Sequence, residues 1–193
     1  MFRELIRKRN QLPTEECLAI LQQEKRGVLS VQGDDGYPYG MPMNHFYCEE
    51  DGAIYFHCGK VGHRLEALKR NDKVSFCVHD GGRPIPGDWA LEVRSVIVFG
   101  RMEIIDEYDT VCDISARLSR KFTQDEEYIR EEIRRSGAAT LLLRLTPEHI
   151  CGKKVKESYE QSALLRERFL FISPQRFLRP ATPSPLRRGK EGV

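Results

Sequence analysis

The stretch IYFHCGKVGHRLEAL, residues 54–68, predicts a strand, a loop and a short helix in direct succession. The loop, residues 59–62, begins and ends with glycine, and the helix begins at His63. The first amides of a helix have no intrahelical partner and lie at the positive end of its dipole. Gly62 lets a ligand approach the backbone, and Arg64 adds a cation that can bind an anion through two donors. The pattern therefore favours a phosphate-binding corner, with a solvated strand–loop–helix corner as the alternative.

Strand-like segments lie on both sides of this corner. The sequence predicts six strands, at Gly27–Gln32, Tyr37–Glu49, Ala53–Cys58, Lys73–His79, Ala90–Ile105 and Ala138–Pro147. Hydrophobic residues alternate along residues 73–79, as in a strand with one buried face. Residues 90–105 are apolar on both faces, which is typical of a strand between a barrel interior and a layer packed outside. Regular helices do not separate these strands, so a doubly wound sheet is disfavoured and one small antiparallel barrel is expected.

The remaining segments are assigned to one domain, residues 1–173, and a tail. The sequence predicts a short helix that begins near Pro13 and a helical insertion at about residues 107–136. Residues 174–193 are basic and proline-rich, and we expect them to be disordered. The tail carries a net charge of +4, which leaves −2 on residues 1–173 out of a total of +2. The folded part therefore has no basic excess that would favour nucleic acid as a partner.

Neither a membrane span nor an export signal is predicted. No apolar run reaches the ~18 residues that cross a bilayer, and the opening MFRELIRKRN lacks the apolar region of a signal peptide. The six cysteines include no CxxC pair. These features predict reduced thiols in a cytoplasmic protein.

Five segments carry a resemblance to a known family. They are YPYGMPMN at 37–44, residues 52–68, NDKVSF at 71–76, SVIVFGRME at 95–103 and LLRLTP at 142–147. In order and spacing they resemble the FMN-binding split barrels of the pyridoxamine 5′-phosphate oxidase-like family, nearest its nitroimidazole-resistance branch, over about residues 10–155. The resemblance implies a mainly β (α+β) fold, a six-stranded antiparallel Greek-key split β-barrel with flanking helices. It also implies a homodimer with one FMN in each of two clefts at the subunit interface.

The resemblance further implies a set of cofactor-binding residues. By position, the phosphate is assigned to Gly62, His63 and Arg64, the lining of the flavin to His57 and Cys58, and the edge of the isoalloxazine ring to backbone groups of Met41, Pro42, Met43 and Asn44. Trp89, the only tryptophan, can stack on an exposed ring face, with core or interface packing as the alternative. His57 is also the candidate catalytic residue, because a histidine near the flavin is a candidate participant in the resistance branch. A histidine that only binds phosphate or backbone is the alternative.

Two departures from the family pattern bear on the substrate. The vitamin B6 oxidases have an Arg-Leu-His-Asp-Arg stretch near the C-terminus that binds their substrate, whereas residues 148–154 of this chain read EHICGKK. We therefore do not expect oxidation of pyridoxamine phosphate. Arg64 stands where family members often have lysine, and because the positive charge is kept we expect phosphate binding to survive.

The expected function is that of an FMN-dependent oxidoreductase that reduces a small electron-poor organic acceptor, for example a nitro compound. NAD(P)H would dock transiently as the donor, since no GxGxxG fingerprint follows a strand. Two alternatives are a flavin-binding sensor or carrier with little turnover, and a haem protein with His57, His63 or His149 as axial ligand. A zinc site drawn from His57, Cys58, His63, Cys77 and His79 is disfavoured because no pair has the usual ligand spacing, so no metal is expected.

Overall fold

Four α-helices flank eight β-strands in the computed structural model, which describes residues 2–157. The helices are α1 (Thr14–Gln23), α2 (His63–Arg70), α3 (Tyr108–Ser119) and α4 (Glu126–Ser136). The strands are β1 (Arg26–Gln32), β2 (Pro38–Asn44), β3 (Phe46–Tyr47), β4 (Ile54–Gly59), β5 (Lys73–His79), β6 (Arg83–Pro84), β7 (Leu91–Ile105) and β8 (Thr140–Lys156). The predicted tail, residues 174–193, lies outside the described residues.

All eight strands belong to one antiparallel sheet with the order β2-β1-β5-β7-β8-β4-β3, and β6 pairs with β7 beside it. The strands β2 and β3 lie at opposite ends of this order, yet only His45 separates them along the chain. A flat sheet cannot satisfy both conditions, because adjacent Cα atoms are about 3.8 Å apart. The sheet is therefore curled into a half-barrel.

The predicted split-barrel class is confirmed, and the strand count differs from the prediction. Six of the strands correspond to the six predicted ones, and the additional pair, β3 and β6, have two residues each. The predicted segment at 37–49 is divided at His45. The last predicted strand continues nine residues beyond Pro147, because its second half pairs with the first half of β7.

The core fills the concave side of the sheet. Inward side chains from five strands are fully buried there, among them Leu29, Phe56, Phe76, Val98 and Leu143. Helix α1 adds Ile20 and Leu21, and helix α2 adds Leu65 and Leu68. Burial of each such side chain contributes about 1.5–3 kcal/mol to folding. This packing fixes α2, and with it the corner between β4 and α2.

A second apolar layer covers part of the convex side. The outward side chains Tyr55 and Leu142 pack against Val111 and Ile114 of α3. Helices α3 and α4 follow β7 directly and precede β8. No described helix covers the convex side at Ile97 in the middle of β7, and Ile97 is half-buried there. Beside it, Phe2 stacks on the rings of Phe99 and His149.

His45 anchors the crossing between β2 and β3. Its imidazole is fully buried, and Nε2 donates a hydrogen bond to the carbonyl oxygen of Leu21 at 2.8 Å. Since a carbonyl can only accept, the proton is on Nε2, and the buried Nδ1, which has no partner in residues 2–157, carries the lone pair. The ring also meets the ring of Phe76 edge-on, with centroids 4.9 Å apart. Burial, and then the charge of Lys121, lowers the pKa of His45 from 6.5 to about 4.

This buried histidine predicts a pH dependence of stability. Between pH 6.5 and 4 the unfolded chain binds a proton on His45 that the folded chain does not, so the free energy of unfolding falls as the pH is lowered. The loss is about 1.4 kcal/mol per pH unit, or about 3 kcal/mol over the whole window. Urea unfolding at a series of pH values measures it.

His45→Gln keeps a side-chain N–H donor but removes the titrating group. It should therefore remove the contribution of His45 to the pH dependence of the free energy of unfolding. His79→Gln, at an exposed histidine of β5, is the matched control and should retain the wild-type slope. Equal slopes in the wild type and in His45→Gln would contradict the account.

Candidate functional site

The corner between β4 and α2 presents unpaired backbone donors. The amides of Leu65 and Glu66 both bond to the carbonyl oxygen of Gly62, at 3.0 and 3.3 Å. The amides of His63 and Arg64 have no acceptor among residues 2–157, as expected of the first residues of a helix. The corner therefore offers two donors at the positive end of a helix dipole.

Gly62 is required by the backbone conformation of the corner. It has φ +129° and ψ 166°, a region that side-chain-bearing residues rarely adopt. A Cβ atom at Gly62 or at Gly59 would meet nothing within 4 Å. The surface above both glycines is therefore open.

Arg64 is the cation of this corner that has no acidic partner among the described residues. Lys60 pairs with Asp106 at 2.7 Å, and Arg70 pairs with Asp34 at 2.6 Å. No ion pair or hydrogen bond to Arg64 is found within residues 2–157, and its Nε is buried without a partner. Its charge is therefore available to an anion at the corner.

The charge of Arg64 affects the pKa of two neighbouring side chains, His57 and Cys58. Burial, and then this charge, lowers the pKa of His57, so its imidazole is neutral at neutral pH. Burial raises the pKa of the Cys58 thiol, and the guanidinium opposes that rise. His57 pairs across the sheet with Leu142 and Cys58 with Leu141. As consecutive strand residues, His57 and Cys58 lie on opposite faces of β4, and only Cys58 packs against the core.

The side chain of His63 is held by the chain itself. Its Nε2 lies 3.2 Å from a carboxylate oxygen of Asp34, and its ring stacks on Tyr39 with centroids 4.6 Å apart. These contacts join α2 to the β1–β2 turn and to β2. No local pattern in the sequence indicates either contact, because the partners are distant along the chain. Because the imidazole of His63 is engaged, a ligand at the corner would use the backbone amide of this residue.

The strand β2 brings a free backbone edge close to the corner. In the described sheet it pairs only with β1, and its residue Tyr39 contacts α2 through His63. The predicted residues alternate along it. Met41 and Met43 are buried in the core, Pro42 is exposed, and Asn44 accepts a hydrogen bond from Arg26 at 3.1 Å. Proline is tolerated at such an edge because its missing amide faces no partner strand.

Trp89 lies apart from the other predicted residues. It is 83% exposed in the loop between β6 and β7. This loop precedes the first residue of β7, whereas the corner adjoins the end of β4, close to the last residue of β7. Within one chain, the structure therefore groups the predicted residues of β4 and α2, joins β2 to them through Tyr39, and leaves Trp89 at the far end of the sheet.

Other candidate sites receive little support. Within residues 2–157 no group of three or more His, Cys, Asp or Glu side chains could hold a metal ion. All six cysteines are free. No helix in the described part of the chain is long and apolar enough to cross a membrane.

A cavity of about 250 Å³ between α1, β3 and α3 contains none of the predicted site residues. Its two cations are held by the chain itself. Arg117 binds Glu50 at 2.6 Å, and Lys121 donates to the carbonyl oxygen of Glu24 at 2.7 Å. The cavity therefore offers an incoming anion no free cation among its described lining residues.

Residues 13–154 match the family model of pyridoxamine 5′-phosphate oxidase, and the chain belongs to this family. The resemblance inferred from the sequence is thereby confirmed. Among curated proteins, a sequence comparison finds no significant match.

Several solved structures share the fold. A protein described as a 5-nitroimidazole antibiotic resistance protein of Bacteroides thetaiotaomicron has a TM-score of 0.63 and 19% identity, covering 76% of this chain and 87% of its own. The flavocytochrome Anf3 of Azotobacter vinelandii has a TM-score of 0.61 and 19% identity, covering 94% and 86%. An FAD-binding protein of Mesorhizobium loti has a TM-score of 0.55 and 22% identity, covering 75% and 96%. At these identities the similarity establishes the fold.

The conformation of Gly62 predicts a site-specific cost of substitution. Gly62→Ala should lower the free energy of unfolding by about 1–3 kcal/mol, because alanine is strained at this φ. Gly59→Ala, at the end of β4 beside the same open surface but without a positive φ, is the matched control and should cost less. Urea unfolding of the two variants measures the difference, and equal costs would show that the corner backbone differs from the one described.

Proposed function

We propose that the chain binds FMN with its phosphate at the corner formed by Gly62, His63 and Arg64. The observation that carries the proposal is the guanidinium of Arg64, unpaired within the described chain and adjacent to two unpaired helix amides. A phosphate accepts hydrogen bonds from such amides and from both arms of a guanidinium. The open surface above Gly59 and Gly62 leaves space for the ligand.

The charges around the corner favour one phosphate over two. The neighbouring cations Lys60 and Arg70 are neutralised by Asp106 and Asp34. A second phosphate beside the first would approach these carboxylates and would be repelled. This supports a mononucleotide, with FAD, which the similar Mesorhizobium loti protein binds, as the second candidate.

The flavin ring is assigned to the free edge of β2. The side chains of Met41 and Met43 face the core, so residues 41–44 would contact the ring through backbone groups and through Pro42 and Asn44. When bound, FMN supplies two-electron transfer between a nicotinamide donor and an electron-poor acceptor. Backbone donors along this edge would stabilise negative charge on the reduced ring.

His57 is proposed as the residue that meets the substrate. Its imidazole projects from the face of β4 opposite the core-facing Cys58 and is exposed. The surrounding chain desolvates the inner part of the ring, and this partial desolvation, followed by the charge of Arg64, lowers its pKa. The imidazole is therefore neutral at neutral pH, where it can donate one hydrogen bond and accept another. Such a group can orient a nitro or carbonyl oxygen of a small acceptor.

We propose NAD(P)H as the electron donor. We also propose the cytoplasm as the compartment, since its reducing conditions suit six free cysteines.

Two rival functions share the fold and are separated by simple measurements. A flavin carrier would keep its flavin oxidised in the presence of NAD(P)H and a nitroaromatic acceptor, whereas the proposed oxidoreductase would consume the donor. A haem protein is the other rival, since a flavocytochrome has a similar fold. It would show a haem absorption band in place of flavin bands.

We further propose that the uncovered convex face joins two copies of the chain. Across neighbouring strands it presents a row of apolar and thiol side chains, each half-buried or exposed: Val28, Cys77, Ile97 and Cys151. No described helix covers this row. Burial against a second copy would remove it from water, and a two-fold axis would pair the row with itself.

The phosphate assignment predicts a selective loss of affinity. Arg64→Ala should weaken FMN binding about 10- to 100-fold, because a charge-assisted hydrogen bond contributes about 1.5–3 kcal/mol. Riboflavin, which lacks the phosphate, should bind the variant and the wild type alike. Flavin fluorescence titration measures both affinities.

Lys60→Ala is the matched control, since Lys60 lies in the loop that precedes α2 but is already paired with Asp106. It should change FMN affinity much less than Arg64→Ala. An Arg64→Ala variant that loses riboflavin and FMN equally, or loses neither, would show that the phosphate lies elsewhere.

The proposed dimer interface predicts that a charged substitution within the apolar row prevents dimerisation, whereas the same substitution elsewhere does not. Ile97→Asp places a charge in the middle of the apolar row and should convert the dimer into a monomer, because an unpaired charge is costly to bury. Tyr128→Asp, at an exposed aromatic residue of α4, is the control and should remain dimeric. Sedimentation velocity distinguishes the species, and a dimeric Ile97→Asp would move the interface to another face.

A further inference from the structure

Two consecutive cations, Lys25 and Arg26, lie over one aromatic ring at the start of β1. The ring is that of Phe122, in the turn between α3 and α4. Nζ of Lys25 lies 5.5 Å from the ring centroid, and Cζ of Arg26 lies 5.8 Å from it. The face of an aromatic ring attracts positive charge. Phe122 therefore keeps two positive side chains close together, although both are exposed.

No acidic side chain of the described chain neutralises this cation pair. Within residues 2–157 neither Lys25 nor Arg26 forms an ion pair. By contrast, Arg120, which also follows α3, binds Glu126 at 2.8 Å. Like charges held side by side repel each other, and an anion bound between them would offset this repulsion.

A third cation, Lys121, adds to the positive charge at this place. Its ammonium group donates a hydrogen bond to the carbonyl oxygen of Glu24 at 2.7 Å. Burial lowers the pKa of Lys121 to about 8, the charge of Glu24 opposes this shift, and the charge of Lys25 adds to it. The charge of Lys25 is therefore felt by its neighbours and is not cancelled within the described chain.

The guanidinium of Arg26 is oriented by the chain but keeps donors to spare. Its Nε donates a hydrogen bond to Oδ1 of Asn44 at 3.1 Å. Within the described residues its two Nη groups have no hydrogen-bond partner. The terminal nitrogens of a guanidinium can bind a phosphate through two parallel hydrogen bonds. Because Asn44 and Phe122 already position this side chain, less conformational entropy is lost when an anion binds.

The cation pair lies at one end of β2, and the phosphate corner lies at the other. Arg26 pairs in register with Asn44, the last residue of β2 and of the segment assigned to the flavin ring. Tyr39, which stacks on His63 of the corner, lies five residues earlier, about 17 Å along an extended strand. FMN has a single phosphate, which is assigned to Arg64. A phosphate at Arg26 would therefore belong to a second molecule beside the ring.

We propose that Lys25 and Arg26 bind phosphate groups of the nicotinamide donor and thereby hold it beside the flavin ring at Asn44. The inference rests on the proposed function, in which NAD(P)H is the electron donor. A nicotinamide dinucleotide carries a pyrophosphate, and its phosphorylated form carries a further 2′-phosphate. These groups supply the negative charge that the pair lacks within the described chain. An exposed pair suits a donor that binds and leaves in each turnover without a GxGxxG site.

Anaerobic reduction of the FMN-loaded protein tests this assignment without an acceptor. The rate of flavin bleaching as a function of donor concentration gives apparent Kd values for NADPH and for NADH. In the double variant Lys25→Gln/Arg26→Gln the Kd for the donor should rise about tenfold or more, because charge-assisted hydrogen bonds are lost. The affinity for FMN, measured by fluorescence titration, should stay close to that of the wild type, which also shows that the variant is folded.

Arg120→Gln is the matched control, because it removes a nearby cation that Glu126 already neutralises. It should leave the Kd for the donor unchanged. Calorimetric titration of the FMN-loaded protein with NADP⁺, which carries the same phosphates but no hydride to donate, provides a readout that is independent of flavin reduction. The double variant should show the same loss of affinity for NADP⁺ as for NADPH.

The two donors distinguish which phosphate is bound. A loss confined to NADPH would assign the 2′-phosphate to the cation pair, and an equal loss for NADH would assign the pyrophosphate, so that either result supports the inference. Unchanged donor affinity in the double variant, or an equal loss in Arg120→Gln, would overturn it. A loss of FMN affinity instead would assign the pair to the phosphate of FMN and would also overturn it. Absence of FMN binding to the wild type would refute the proposed function itself.

Discussion

The chain passes from one edge of the sheet to the other at a single residue, His45. Because β2 and β3 lie at opposite ends of the strand order, this crossing forces the sheet to curl, and the curl creates the core that α1 and α2 cover. Among the described strands, it also leaves β2 with one edge that pairs with no strand, and this edge lies beside α2, where Tyr39 stacks on His63. The free backbone edge and the helix amides are thus brought to the same corner by one connection.

The electrostatics of this corner follow from the pairing of its charges. Asp106 and Asp34 neutralise Lys60 and Arg70, so that the local field at the helix end comes chiefly from Arg64 and the dipole. Partial burial of the ring is the main cause of the lowered pKa of His57, and the same guanidinium is the second cause. Arg64, which has no acidic partner in the part of the chain that the structure describes, therefore both suits a phosphate and helps to keep the neighbouring imidazole neutral.

The features that could be predicted from the sequence are local ones. Alternation identified β5, the double apolar face identified β7, and glycines around a short loop identified the corner. The second half of β8 was missed because residues 148–156 are mostly polar and their strand conformation depends on pairing with β7, some 50 residues earlier in the chain. The crossing was missed because nothing near His45 marks it as buried. The contact of His63 with Asp34 and the remoteness of Trp89 likewise depend on the fold.

The most direct test of the central claim is the ionisation of the FMN phosphate on the protein, followed by ³¹P NMR as a function of pH. Free phosphate monoesters take up a proton with a pKa near 6. Against Arg64 and the two helix amides, the bound phosphate should remain a dianion to clearly lower pH, and Arg64→Ala should return its titration towards that of free FMN. A bound phosphate that titrates as it does in free FMN would contradict the account, because it would then point into solvent.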